Sequence, residues 1–198
     1  MKSDTLNICQ VSLAGNIPII QKNLKNFENF YKKVIFYIIV PSKDLLFFKK
    51  KIKNKNVKII SENDLIKFSK FKKISNFFLK NSRYYKEIQK RLSWYYQQIL
   101  KLSFVINFIN KKNKNIIIWD ADTIIIKKIK FFHKKKSIKF GTTSEYHKAY
   151  YKTNKTILRK LPRYFVSSLC QFVCLSVIDQ KFLKKKLKIN KIKKNIAF

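Results

Sequence analysis

Glycine occurs twice, proline three times and cysteine three times in these 198 residues, and only ten side chains are acidic. With so little glycine and proline no stretch reads as a domain linker. No internal repeat is visible either, so the length points to a single domain. Cys9, Cys170 and Cys174 make neither a disulfide framework nor a zinc set. On a helix Cys170 and Cys174 would share a face, where small apolar packing is their expected role. Long apolar runs are also missing. The longest, residues 34–40, falls far short of the roughly 20 residues that span a bilayer, and Met1-Lys2-Ser3-Asp4 leads into no signal-peptide apolar region. The chain therefore reads as cytoplasmic, with the inner face of the cytoplasmic membrane as a place it could sit.

Apolar residues make up 46% of the chain and aromatic ones 15%, enough for a packed interior and against disorder throughout. Forty-six Lys and Arg against ten Asp and Glu give a net charge of +36, a balance that suggests nucleic acid or an anionic surface as partner. The kind of base argues otherwise. Arginine is confined to Arg83, Arg91, Arg159 and Arg163, and the lysines travel with Ile, Asn, Phe and Tyr, residues with A/T-rich codons. A biased genome accounts for that composition, whereas a dedicated nucleic-acid binder would draw on the planar fork of Arg. No specific nucleic-acid partner is expected. A nucleotide diphosphate or the anionic face of a bilayer would still be attracted, less so at high salt.

The first half alternates strand-like and helix-like stretches: a strand over 6–13, a helix over 18–31, a buried strand over 34–40 closed by Pro41, a helix over 44–53 and a short strand over 57–60. This order predicts an α/β fold with a mostly parallel central sheet flanked by helices. Ligands in such sheets sit beyond the carboxyl ends of the strands, which makes Ser12 and Glu62 candidate nucleotide contacts by position. Residues 65–90 read as helices and loops over the sheet edge, and 91–108 as a helix carrying Trp94, Gln98, Lys101 and Val105 along one set of turns. Residues 116–126 read as one Ile-rich strand, 155–161 as a helix, 164–178 as a buried helix, and the final twenty residues as frayed or on the surface.

Two of the ten acids, Asp120 and Asp122, stand two apart inside that Ile-rich run. Buried like charges repel and lose hydration, so a pair there needs compensation. Mg²⁺ or Mn²⁺ supplies it naturally, since hard cations accept one or two carboxylates and complete their shell with phosphate oxygens and water. The bland alternative is a solvated turn with both acids bonded to local backbone N–H groups.

The segment Trp94-Tyr95-Tyr96-Gln97-Gln98, a connector, and then Trp119-Asp120-Ala121-Asp122-Thr123 resembles a family of bacterial glycosyltransferase-like proteins of surface and capsular polysaccharide synthesis. Glu145-Tyr146-His147 also looks like that family's segment after the metal motif. The resemblance covers roughly residues 4–179. It implies a GT-A-type fold that transfers a sugar from a nucleotide-sugar donor, most commonly a UDP-sugar, to a glycan or lipid-linked acceptor. It also implies Mn²⁺ or Mg²⁺ held by Asp-x-Asp: Asp122 as direct ligand, Asp120 on the metal or the ribose. Gln97, Gln98 and Lys101 would lie close to the nucleotide-sugar, with Lys101 towards its phosphates. Trp94 is expected in the core more than as a stacking partner for the base, and His147 as a substrate contact. No carboxylate stands out as catalytic base, Glu145 being the nearest candidate. The implied organisation is one domain over 1–180, with a nucleotide-binding part near 4–126, a partial acceptor-side part near 127–180, and a basic tail over 181–198.

Two departures stand against a complete enzyme. Proteins of this kind continue well beyond the Glu-Tyr-His segment, whereas here the sequence ends at Phe198. Residues 164–171 are also more apolar than an acceptor-side motif should be, with Gln171 as a remnant. A truncated or degenerate form that binds nucleotide without turnover is therefore one alternative. A basic polyanion-binding protein is the other.

Overall fold

The computed structural model describes residues 5–81, 85–112, 114–133, 136–138 and 172–186. In chain order the elements are β1 (Leu6–Val11), α1 (Ile17–Phe30), β2 (Val34–Val40), α2 (Leu45–Lys51), β3 (Val57–Ser61), α3 (Phe68–Leu79), α4 (Tyr85–Lys90) and α5 (Leu92–Lys112). There follow β4 (Ile116–Trp119), the two-residue strands β5 (Phe132–His133) and β6 (Lys136–Ser137), β7 (Phe172–Leu175) and α6 (Val177–Lys186).

A strand such as β2, apolar or aromatic at every position, has to be covered on both faces. It lies within a five-stranded sheet of order β3-β2-β1-β4-β7. Strands β1 to β4 run parallel, and β7 is antiparallel to β4. One face packs Ile8, Phe36, Ile38, Val40 and Trp119 against Ile20, Leu24 and Phe27 of α1 and Phe48 of α2. The other packs Cys9, Val11, Tyr37, Ile39 and Ile116 against Tyr96, Leu100, Phe104 and Phe108 of α5. Alternate residues of one strand thus feed two separate cores. Helix α1 begins with Pro18 in its first turn, where a missing N–H costs nothing. It ends where Tyr31 turns to extended backbone.

The expected α/β architecture with a mostly parallel, helix-flanked sheet is present, and three local expectations need correction. The Ile-rich run does not form one strand: β4 stops at Trp119, a turn follows at Ala121 and Asp122, and residues 123–131 carry no ladder. Within 164–178 the described part is not one buried helix: 172–175 form the strand β7, in which Cys174 is buried, and only 177–178 are helical, at the start of α6. The last residues are not all frayed either. Helix α6 packs near α5, and its buried Gln180 donates through Nε2 to the carbonyls of Lys114 and Leu175 at 2.9 and 3.0 Å. The boundary expected between 180 and 181 therefore falls inside a helix. The helix expected over 155–161, Cys170, Gln171, Glu145 and His147 lie outside the described residues. Among the described residues no helix is long and apolar enough to cross a membrane.

Candidate functional site

From β1 the chain moves outward to β2 and β3, then returns across α3 to α5 and places β4 on the opposite side of β1. The strand order therefore reverses between β1 and β4, the topological switch point of the sheet; β1 runs on into α1 on one face, while α5, which leads into β4, covers the other. Ile8 pairs with Ile117 and Cys9 with Ile118. Continued, this register sets Val11 and Ser12 beside Asp120 and Ala121.

Asp120 is the first residue past β4, and its side chain is partly exposed. Its Oδ1 accepts from the Lys101 ammonium at 2.5 Å. Lys101 itself is buried, carried there because it sits among Tyr96, Leu100, Phe104, Val105 and Phe108 on α5. Its charge also reaches the buried Cys9 thiol. Burial pushes that thiol up strongly, and the ammonium pulls it back by a smaller amount. Asp122 is exposed on the turn. The backbone N–H of Thr123 closes that turn onto the Asp120 carbonyl at 3.2 Å. The Trp119 indole Nε1–H donates to the carbonyl of Thr123 at 2.9 Å.

The stretch after the turn has no strand partner, so its backbone groups need other ones. Helix α1 supplies them. Asn23, fully buried, donates through Nδ2 to the Thr123 carbonyl at 2.6 Å and accepts the Ile125 N–H on Oδ1 at 2.9 Å. Asn26 donates to the Ile125 carbonyl at 2.7 Å. The Tyr31 hydroxyl donates to the Ile129 carbonyl and accepts the Ile129 N–H, each at 2.8 Å. This ladder fixes where the Asp pair sits, and none of its members was picked out by sequence reasoning. One signal was present: Asn23 interrupts the buried stripe of Ile20, Leu24 and Phe27, and a polar residue in a buried stripe has to be hydrogen-bonded to something.

The other candidates separate. Ser12 is buried, and its hydroxyl donates to the Leu13 carbonyl at 3.5 Å. Glu62 follows β3, three strand spacings or roughly 14 Å from β4, and the structure does not bring it to the Asp pair. Burial raises its carboxyl above the usual range, partly offset by a hydrogen bond from the Ser42 backbone. Nearby, the Ser42 and Ser61 hydroxyls share a hydrogen bond at 2.7 Å. Gln97 lies one turn before Lys101 on the same side of α5 and is half-buried. Gln98 instead borders an apolar groove with Phe71 and Tyr95. Trp94 is not core: it is 50% exposed, with its ring edge-on to Tyr95.

The two acids are not both buried as expected: Asp120 is partly exposed and paired with Lys101, and Asp122 faces solvent. Among the described residues no group of three or more His, Cys, Asp or Glu could hold a metal. What remains fits a looser mode. Asp122 and the second oxygen of Asp120 are two hard donors on one turn, a set that could hold Mg²⁺ or Mn²⁺ only with phosphates and water completing the shell. They do not make an all-protein cage.

No curated protein matches the chain. Residues 10–194 match the profile of a family of unknown function (DUF6492), a span that runs from within β1 to beyond α6, and the chain belongs to that family.

Proposed function

We propose that the chain is a metal-dependent glycosyltransferase of GT-A type, acting in bacterial surface-polysaccharide synthesis with its nucleotide-sugar donor at the carboxyl ends of β1 and β4. The observation that carries this reading is the placement of Asp120 and Asp122 on a turn at the carboxyl end of β4, at the switch point of a parallel sheet. Supporting it is the rigid seating of that turn, clamped by α1 on one side and by Lys101 on the other. A divalent cation bound there would neutralise the charge that gathers on a departing diphosphate. Asp122, exposed, would be its principal protein ligand. Lys101 would hold Asp120 in one orientation and add positive charge behind it, while Gln97 on the same side of α5 would face the donor.

The test is thermal unfolding with UDP, GDP and CMP, each with and without Mn²⁺, on the wild type and on Asp122→Ala. A ligand at about 100 times its dissociation constant stabilises by roughly 2.7 kcal/mol, a rise of about 5–10 °C for a chain this size. The expected result is a metal-dependent rise with one nucleotide that Asp122→Ala abolishes. Absence of any rise in a protein that unfolds cooperatively would sink the donor site. A rise without turnover on any acceptor would identify a degenerate, nucleotide-binding form.

A further inference from the structure

We infer that the end of the molecule built from α3, α4 and the first turns of α5 is a docking face for an anionic lipid bilayer. A groove of about 370 Å³ opens there between the three helices, lined by Phe71, Ile88, Leu92, Tyr95 and Ile99. Trp94 adjoins it, with its ring 5.1 Å from that of Tyr95. Lys67, which caps α3, and Ile74 and Phe77 on the helix follow one another at helical spacing along one side. Ile74 and Phe77 are exposed, Phe77 to 76%. Lysine stems beside exposed aliphatic and aromatic side chains make the pattern of a surface that lies in the headgroup region, rings inward and ammonium groups at the phosphates.

Charge favours the same occupant. Between residues 67 and 91 the described residues hold eight Lys or Arg and one acid, Glu87, which Lys90 engages at 3.2 Å. Lysines near an anionic leaflet each strengthen binding about fivefold. A nucleic acid would be held by the same charge but has no use for an aliphatic groove, and only one of the eight is an Arg, Arg91.

The position of this face has a consequence. Helix α5 runs antiparallel to β4, since three residues link the two and Lys101 reaches Asp120 at the far end of the strand. Trp94 therefore stands about 10 Å further along the axis than Lys101, past the carboxyl edge of the sheet. A bilayer seated here lies at the end of the molecule that carries the Asp pair. The inference holds whether or not a sugar is transferred there.

The experiment uses the full chain with vesicles of phosphatidylcholine alone or mixed with phosphatidylglycerol. The protein has two tryptophans, and Trp119 is only 1% exposed, so Trp94 reports contact without any substitution. Mixed vesicles should shift its emission to the blue and protect it from acrylamide, and neutral vesicles should not. Ile74→Ser with Phe77→Ser should weaken cosedimentation by about tenfold or more. The matched pair Leu46→Ser with Phe47→Ser, equally exposed on α2 beside Lys49, Lys50 and Lys51, should leave it within about twofold. Equal weakening by both pairs would overturn the inference in favour of diffuse attraction. So would an unprotected Trp94 on mixed vesicles, or equal protection by a soluble polyanion such as heparin.

Discussion

Trp119→Ala should lower the unfolding free energy by about 3–5 kcal/mol, a large share of the roughly 5–15 kcal/mol that holds a domain of this size together. Trp119 is the largest fully buried side chain. Its ring meets Phe27 edge-on at 5.2 Å and stacks on Phe172 at 5.0 Å, so it ties α1 and β7 to β4 at once. Alanine leaves a cavity that these aromatic neighbours cannot collapse into without leaving their own contacts. Trp119→Phe keeps most of the volume and loses the indole donor to Thr123, with an expected cost of about 1–2 kcal/mol. Urea denaturation of both variants checks the pair of values: the midpoints should fall in that order while the slope stays that of the wild type. If alanine cost less than phenylalanine, the ring would not be the plug of this core.

Asn23→Leu should rank next, at about 2–4 kcal/mol, although leucine is close in size and the site is fully buried. The cost comes from what is left behind. The Thr123 carbonyl loses its donor and the Ile125 N–H its acceptor, and a buried polar group without a partner costs about 1–3 kcal/mol. Hydrogen exchange gives the more diagnostic readout. The Ile125 amide should exchange faster in the variant by more than global destabilisation explains, while β2 amides should track global stability. On the proposed function, nucleotide and Mn²⁺ binding should weaken as well, because the same bonds seat the turn carrying Asp122. Uniform acceleration across the molecule would mean that Asn23 is an ordinary core residue with no particular hold on the turn.

What could be read in the sequence followed from periodicity. The run of seven apolar or aromatic residues in β2 gave the strand to the residue, and apolar positions at helical spacing gave α1 and α5 within a few positions at each end. Parallel order followed from strand and helix alternation. What could not be read depended on partners far away in the chain. Nothing local in Ile116 to Ile126 tells that four residues pair and the rest lean on α1 through Asn23, Asn26 and Tyr31. Propensity favours a strand throughout, and side chains about a hundred positions earlier decide otherwise. Likewise Lys101 read as a candidate phosphate contact, and nothing local indicates the partner the fold gives it, Asp120. Trp94 read as core by its residue type, but at this end of α5 Leu92 and Tyr96 take the buried positions and Trp94 faces outward. The Asp pair stood out in the sequence as a candidate; its ion pair with Lys101 did not.

The sheet order also bears on how the molecule assembles. Strands β1, β2 and β3 pair with neighbours in the chain, each joined by one short helix, whereas β4 must reach β1 from far downstream: Asn7 donates to the carbonyl of Asn115, 108 residues away. Closing so long a loop is entropically costly and slow. The seam between β1 and β4 is thus expected to zip last, and pulsed exchange during refolding should protect β2 amides before those of β4; the reverse order would contradict it. The switch point, with the Asp pair beside it, would then be a late product of folding, in place only once both ends of the chain's long excursion have met.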